Sequence, residues 1–138
     1  MQGTKTSWKL RIAAIVLALL PAAGSQAANA QSIEMAIKNG ETLELRALYW
    51  ISNCKSILKK PISAEILDGP PQLSVSVKEA QVPARLQQCA KPVAGGILQL
   101  TAKDVTDIST STVIVRIKYP TKDGDRIRSD TLRVTMVP

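Results

Sequence analysis

The stretch TVIVRIKYPTKDGDRIRSDTLRVTMV, residues 112–137, decides the fold class of this chain. It holds two predicted strands, residues 112–119 and residues 127–137, on either side of the turn sequence KDGD at residues 122–125. An Asp-Gly pair between two β-forming runs is typical of a tight hairpin turn, because glycine adopts the positive φ that such turns need. The end of the chain is therefore predicted to be an antiparallel hairpin.

On the N-terminal side of this hairpin, alternation of apolar and polar residues predicts five further strands, at residues 32–38, 41–51, 62–67, 73–77 and 97–105. The first two flank Asn39-Gly40, a strong hairpin signal, so we expect them to pair with each other. Residues 80–96 contain two prolines and a Gly-Gly pair. They are expected to form a long loop or a covering turn of helix at residues 84–88.

Seven short strands with turn signals between them, and no convincing amphipathic helix, predict an all-β domain. The predicted architecture is an immunoglobulin-like sandwich of two antiparallel sheets. In the usual immunoglobulin domain the disulfide joins two core strands, whereas both cysteines of this chain fall in connections between strands. The sequence therefore predicts a two-sheet sandwich and leaves the order of its strands open.

The first thirty residues have the pattern of a cleavable secretory signal peptide. Residues 1–11 carry three basic and no acidic residues, residues 12–20 are apolar, and Ala28-Asn29-Ala30 matches the A-x-A cleavage signal. The apolar run has nine residues, against the roughly 20 needed to span a bilayer, so no stable membrane anchor is expected. We expect cleavage after Ala30, with Ala27 as the alternative site, and one domain over residues 31–138.

The composition of the chain argues against several classes of function. Histidine, the commonest general base and transition-metal ligand, is absent. No pair stands out among the 11 acidic residues, so no catalytic residue, metal site or cofactor is predicted, and the chain is not expected to be an enzyme. The leader holds three of the 18 basic residues, which leaves a net charge of +4 on residues 31–138. Three aromatic residues outside the leader make a poor stacking platform for nucleic acid.

Cys54 and Cys89 are the only cysteines, and the leader directs them to an oxidising compartment. Paired thiols in such a compartment normally form a structural disulfide. The alternatives are a redox pair or a metal site. They fit less well, because redox catalysis favours C-x-x-C spacing and two thiolates without histidine are half of a zinc site.

Two short motifs have both a functional and a structural interpretation. Residues 56–59 (SILK) match the S-x-x-K of penicillin-recognising serine enzymes, but the companion S-D-N and K-T-G elements are missing. Ser56 and Lys59 are therefore interpreted as polar loop residues. Asp123 and Asp125 resemble the start of a calcium loop, yet the chain runs from Asp125 straight into a strand, which favours the hairpin turn.

A cluster of basic residues is predicted where acidic residues are missing, at residues 45–64 and 80–103. A disulfide would bring these two acid-free segments together at one end of the sandwich. We call the cluster the basic pole, and its members are Lys55, Lys59, Lys60, Arg85 and Lys91. Their charge of +5 exceeds that of the whole mature domain and would attract anionic partners. The alternative is a pair of solvated loops that only aid solubility.

Tyr49 and Trp50 are adjacent in a predicted strand, so their side chains are expected on opposite faces. Tyr49 is in phase with the apolar residues Leu43, Leu45 and Ala47, which leaves Trp50 pointing outward. An outward tryptophan marks a possible contact surface. The alternative is that the loop holding Cys89 covers it.

Four segments of the chain resemble a group of small exported alphaproteobacterial proteins that has no assigned activity. They are ILDGPPQLSVSVKEA at residues 66–80, Gly95-Gly96, AKDV at residues 102–105 and RIKYPTKDGDR at residues 116–126. The resemblance covers most of the mature chain. It implies export and an all-β, immunoglobulin-like sandwich, but it implies no site.

These observations predict an exported, periplasmic or secreted, non-enzymatic binding module of the cell envelope. Its expected partner is an envelope protein or an anionic polymer, met through the basic pole. The alternative is a structural or accessory subunit that pairs through a sheet edge with a partner protein.

Overall fold

The computed structural model describes residues 32–138, so the predicted signal peptide lies outside the described residues. The described chain is all-β, with one turn of 3-10 helix at Arg85–Gln87. No helix in this part of the chain is long and apolar enough to cross a membrane. The strands are β1 (Ile33–Lys38), β2 (Thr42–Leu48), β3 (Ile51–Ser52), β4 (Lys55–Ser56), β5 (Ser63–Asp68), β6 (Leu73–Val82), β7 (Val93–Ala102), β8 (Ser109–Thr121) and β9 (Gly124–Val137).

The seven longer strands form two sheets. One has four strands in the order β1-β9-β8-β5, the other has three in the order β2-β7-β6, and β3 and β4 form a separate short ribbon. All of these pairs are antiparallel except β1 with β9, which is parallel. Both sheets contribute alternate apolar side chains to one core. The prediction of an all-β sandwich of two sheets is confirmed.

The core lies between β7 of the smaller sheet and β8 and β9 of the larger one. Its fully buried members repeat with period two along each strand, as a sheet with one covered face requires. They include Leu98 and Leu100 on β7, Val113, Val115 and Ile117 on β8, and Leu132 and Val134 on β9. A smaller second cluster, formed by Val82, Ala84 and Val93, lies where β6 ends and β7 begins.

The hairpin of β8 and β9 is confirmed. Its strands pair from Thr121 with Gly124 to Ser109 with Met136, which makes it the longest ladder among the described residues. Gly124 has a φ of 108°, in the region that favours glycine. The local turn chemistry was therefore sufficient to predict this pair.

The predicted hairpin across Asn39-Gly40 is wrong, because β1 and β2 belong to different sheets. Asn39 donates its backbone N–H to the carbonyl of Val137 (2.8 Å), and Gly40 donates its own to Ala102 (2.8 Å). The turn thus carries the chain from the edge of one sheet to the edge of the other. Pairing with the long strands β9 and β7 buries the apolar faces of both segments, which outweighs the local turn preference.

Residues 80–96, predicted as a long loop or a covering turn of helix, are strand at both ends, since β6 continues to Val82 and β7 begins at Val93, with the 3-10 turn Arg85–Gln87 between them. The Gly-Gly pair that suggested a break serves close packing instead. A Cβ atom on Gly95 would lie 2.2 Å from the carbonyl oxygen of Leu48. Glycine therefore allows β2 and β7 to approach each other at this point.

Candidate functional site

One end of the sandwich is tied together by the disulfide between Cys54 and Cys89, which is confirmed. It joins the turn between β3 and β4 to the segment after the 3-10 turn, and we call this the disulfide end. Asn53, Cys54 and Gln88 all have φ between 51° and 58°. Such conformations are uncommon for residues other than glycine and persist where the surrounding structure fixes them. The linked segments are therefore held in defined positions, and the bond itself indicates an oxidising compartment.

Backbone hydrogen bonds also attach the segment after β4 to the hairpin of β8 and β9. Lys59 donates to the carbonyl of Pro120 (2.9 Å), and Lys122 donates to the carbonyl of Ile57 (3.0 Å). Leu58 forms an isolated bridge with Thr121. This segment therefore extends the larger sheet at the disulfide end.

The five residues of the basic pole are all exposed. They lie on the segments that adjoin the disulfide, with Lys55 directly after Cys54 and Lys91 two residues after Cys89. Within residues 32–138, none of the five forms an ion pair with a carboxylate. Their charges are thus not neutralised by acidic partners in this part of the chain.

The predicted outward orientation of Trp50 is wrong. Its ring packs against the main core and lies 5.2 Å from the ring of Tyr119, while Tyr49 packs against the second cluster. The alternation assumed in the sequence fails because β2 ends at Leu48 and contains a bulge between Glu44 and Arg46. A bulge shifts which face the following residues occupy.

The bulge places Arg46 so that it bridges the two sheets. Its Nε and Nη2 atoms each lie 2.8 Å from the same Asp130 Oδ2 atom on β9. Burial acts to lower the pKa of Arg46, but the hydrogen bond and charge of Asp130 outweigh it, and the pKa is raised above its usual value. The guanidinium therefore stays charged and fixes the distance between β2 and β9 at this end.

Tyr119 lies beneath this pair, with a side chain that is almost fully buried. Burial raises the pKa of its hydroxyl, and the positive charge of Arg46 partly opposes that shift. The hydroxyl is therefore neutral at physiological pH, where it acts as a hydrogen-bonding group.

These side chains line an open groove of about 890 Å³ between the two sheets. The groove has an aromatic floor and a polar rim, a common composition for binding sites. Its lining includes Arg46, Tyr49, Trp50, Gln87, Tyr119, Arg128 and Asp130. Gln87 belongs to the segment that precedes Cys89, so the disulfide holds one wall of the groove.

Arg128 is the charged group of the groove that has no ion pair among the described residues. Its guanidinium carbon lies 4.9 Å from the centroid of the Trp50 ring, a cation–π contact. This contact holds the side chain in place while it leaves the nitrogen donors available. The arrangement suits the binding of a carboxylate or phosphate group.

Sequence reasoning singled out Trp50 but missed Arg46, Tyr119, Arg128 and Asp130. A signal for two of them was present, because Arg128 and Asp130 are in phase with the buried Leu132 and so occupy the inward face of β9. Polar residues at inward positions of a strand indicate an open part of the sandwich. No comparable signal pointed to Arg46, whose position depends on the bulge.

The two other motifs have structural roles. Ser56 accepts a hydrogen bond from the backbone N–H of Leu58 (3.4 Å), and Lys59 is exposed. Asp125 forms an ion pair with Lys118 (3.0 Å) beside the hairpin turn. Within the described part of the chain, no group of three or more metal-ligating side chains comes together.

Comparison of the chain with protein-family models, with curated proteins and with solved structures finds no match.

Proposed function

We propose that this protein is an exported, non-enzymatic binding module of the cell envelope that contacts an anionic partner at its disulfide end. One observation carries the proposal: the segments that adjoin the disulfide carry the exposed cations of the basic pole, and Arg128 lines a preformed groove at the same end, all without carboxylate partners among the described residues. A field of one sign around a concave surface raises the local concentration of ligands of the opposite charge.

We propose further that the sandwich is immunoglobulin-like. Numbering the seven longer strands A to G gives the orders B-E-D and A-G-F-C, from the observed β2-β7-β6 and β1-β9-β8-β5. An immunoglobulin constant domain has the same B-E-D and C-F-G neighbours. The difference is that the first strand lies beside the last strand. Immunoglobulin-like sandwiches commonly bind through the loops at one end, which agrees with a site at the disulfide end.

Export to the periplasm or the exterior is supported by the predicted leader together with the disulfide. The mass of the protein recovered from the envelope tests this. We expect a chain that begins at Gln31, and recovery of a chain that keeps residues 1–30 would contradict cleavage.

Binding through the basic pole is tested by charge reversal. A Lys55→Glu, Lys59→Glu, Lys60→Glu variant is expected to elute from an immobilised anionic polysaccharide at clearly lower salt than the wild type. The matched control is Lys38→Glu, Lys78→Glu, Lys103→Glu, which has the same net charge but changes residues away from the disulfide end. Equal elution of the two variants would mean that only net charge matters and that the basic pole is not a binding site.

A second candidate function, a subunit that pairs through a sheet edge, is favoured by one feature of β9. Within residues 32–138, the first half of β9 has β8 on one side and no strand on the other. Size-exclusion chromatography of the processed protein separates the two simplest cases. A monomer agrees with a binding module, and a stable dimer favours self-pairing.

A further inference from the structure

The free edge of β9 begins where β1 begins. The parallel ladder between the two strands opens with Ile33 opposite Leu132 and continues to Lys38 opposite Val137. Upstream of Leu132, β9 continues for eight residues, Gly124 to Thr131, with β8 as its only strand partner among the described residues. Half of this long strand therefore presents an open edge.

The direction of the backbone groups on this edge follows from the hairpin. Pro120, opposite Asp125, has no N–H, and its carbonyl accepts a bond from Lys59 on the side away from β9. Pro120 and Asp125 are therefore a pair that is not hydrogen-bonded between β8 and β9. Bonded and non-bonded pairs alternate along an antiparallel ladder, so Ile127 and Ser129 also direct their N–H and C=O groups away from β8. The hydrogen bond that the Val137 carbonyl accepts from Asn39 supports this assignment. Val137 is an even number of residues from Ile127 and also directs its carbonyl away from β8. Ile127 and Ser129 thus offer a template for strand pairing.

The open edge borders the groove. Arg128 and Asp130 point into the groove from β9, Ser129 lies between them on the edge, and Arg46 reaches across from β2. Alternate side chains of a strand added here would face the groove. The charged residues that line the groove are two arginines, Arg46 and Arg128, and one carboxylate, Asp130, which is already paired with Arg46. The groove therefore favours acidic side chains.

We propose that the edge of β9 at Ile127 and Ser129 binds an extended acidic segment of a partner protein by strand addition. The inference rests on the proposed binding function and names the partner of that site. Backbone bonds to the edge would supply affinity, and carboxylates at alternate positions would meet Arg128 and select the sequence.

The chain's own upstream segment is the less suitable occupant. The ladder of β1 begins with Ile33 opposite Leu132, and after the predicted cleavage behind Ala30 only two residues would precede Ile33. Two residues are too few to reach Ser129 and Ile127, which are three and five positions upstream of Leu132. Residues 24–31 also contain no acidic residue that could meet Arg128.

The test uses the processed, disulfide-bonded protein and a capped peptide of eight residues in which glutamate alternates with valine. The same peptide with lysine in place of glutamate is the control. We expect the glutamate peptide to bind and the lysine peptide not to bind. Amide hydrogen exchange is followed at Ile127 and Ser129, which exchange fast in the free protein and become protected on binding. The amide of Arg128, bonded to β8, is protected in both states.

Two variants distinguish the contribution of the β9 edge to peptide binding from that of the groove. Ser129→Pro removes an edge donor that β8 does not use, and Arg128→Ala removes the proposed carboxylate partner. Each is expected to weaken peptide binding by about tenfold or more. Arg133→Ala is the control, because Arg133 lies on the same strand with its side chain exposed and paired with Glu34, and it should change binding less than about twofold. If Ser129→Pro disturbs the hairpin, hydrogen exchange at Ile127 and Ser129 of the wild type still shows whether the peptide pairs with the edge of β9.

Three outcomes would overturn the inference. Peptide binding that depends on Arg128 but leaves the Ile127 and Ser129 amides unprotected means that the groove binds anions without strand addition. Equal binding of the lysine peptide overturns the acidic preference. A dimer in which these amides are protected without peptide shows that a second copy occupies the edge. Failure of the proposed function itself is seen separately, as unchanged retention of the lysine-reversal variant on the anionic polysaccharide.

Discussion

Breaking the contact between Arg46 and Asp130 is expected to destabilise the sandwich more than breaking any ordinary surface ion pair. Both Arg46 donors lie 2.8 Å from the same carboxylate oxygen, and the two side chains are 37% and 19% exposed. Exposed pairs couple by about 0.2–1 kcal/mol, whereas hydrogen bonds to charged groups contribute about 1.5–3 kcal/mol. For this half-buried pair with two bonds we expect a coupling free energy of about 1.5–2 kcal/mol.

The assay is a double-mutant cycle measured by urea unfolding of Arg46→Met, Asp130→Asn and the double variant. A single variant that loses about 2 kcal/mol should shift the urea midpoint down by about 1–2 M. The control is the pair of Lys78 and Glu44, which are 3.7 Å apart and 60% and 53% exposed, with an expected coupling below about 0.5 kcal/mol. If both cycles give the same coupling, the pair between β2 and β9 does not hold the sheets together.

Two further perturbations test the disulfide end. The loop-entropy model gives a stabilisation of about 4 kcal/mol for the separation of 35 residues between Cys54 and Cys89. Replacing both cysteines by alanine should therefore lower the free energy of unfolding by about 2–4 kcal/mol. A loss below about 1 kcal/mol would contradict a stabilising role of the disulfide. Because burial raises the pKa of Tyr119 above 10.0, the folded state keeps a proton that the unfolded state releases, and stability should fall as pH rises above about 10. Tyr119→Phe should reduce that alkaline loss, which urea unfolding between neutral pH and pH of about 11 measures; an unchanged pH dependence would refute it.

The parts of the fold that the sequence predicts are those set by neighbouring residues or by compartment. The β8 and β9 hairpin depends on an Asp-Gly turn, and the disulfide was predicted from the only two thiols of the chain and the expectation of export. The pairing of β1 with β9 depends on residues about a hundred positions apart. A local turn signal at Asn39-Gly40 could not reveal it, because the same turn geometry also suits a crossing between sheets.

The groove was harder to predict than the sandwich. The assignment of Tyr49 to the core assumed that side chains alternate regularly along the whole of β2. A single bulge before Arg46 was enough to exchange the environments of Tyr49 and Trp50. Bulges have no reliable sequence signature, so the position of Arg46 between the sheets appeared only in the structure.

The inward residues of β9 change character at the point where β1 begins. Where β1 lies beside β9, the inward positions are Leu132, Val134 and Met136, and all three are buried. Where β1 is missing, the same phase continues with Arg128 and Asp130, which an apolar core would not tolerate. The inward residues of β9 therefore change from charged to apolar at Leu132, the same residue at which pairing with β1 begins. The polar inner face of β9 thus coincides with the part of the strand that has no β1 beside it and that lines the open groove, where charged side chains remain accessible to a ligand.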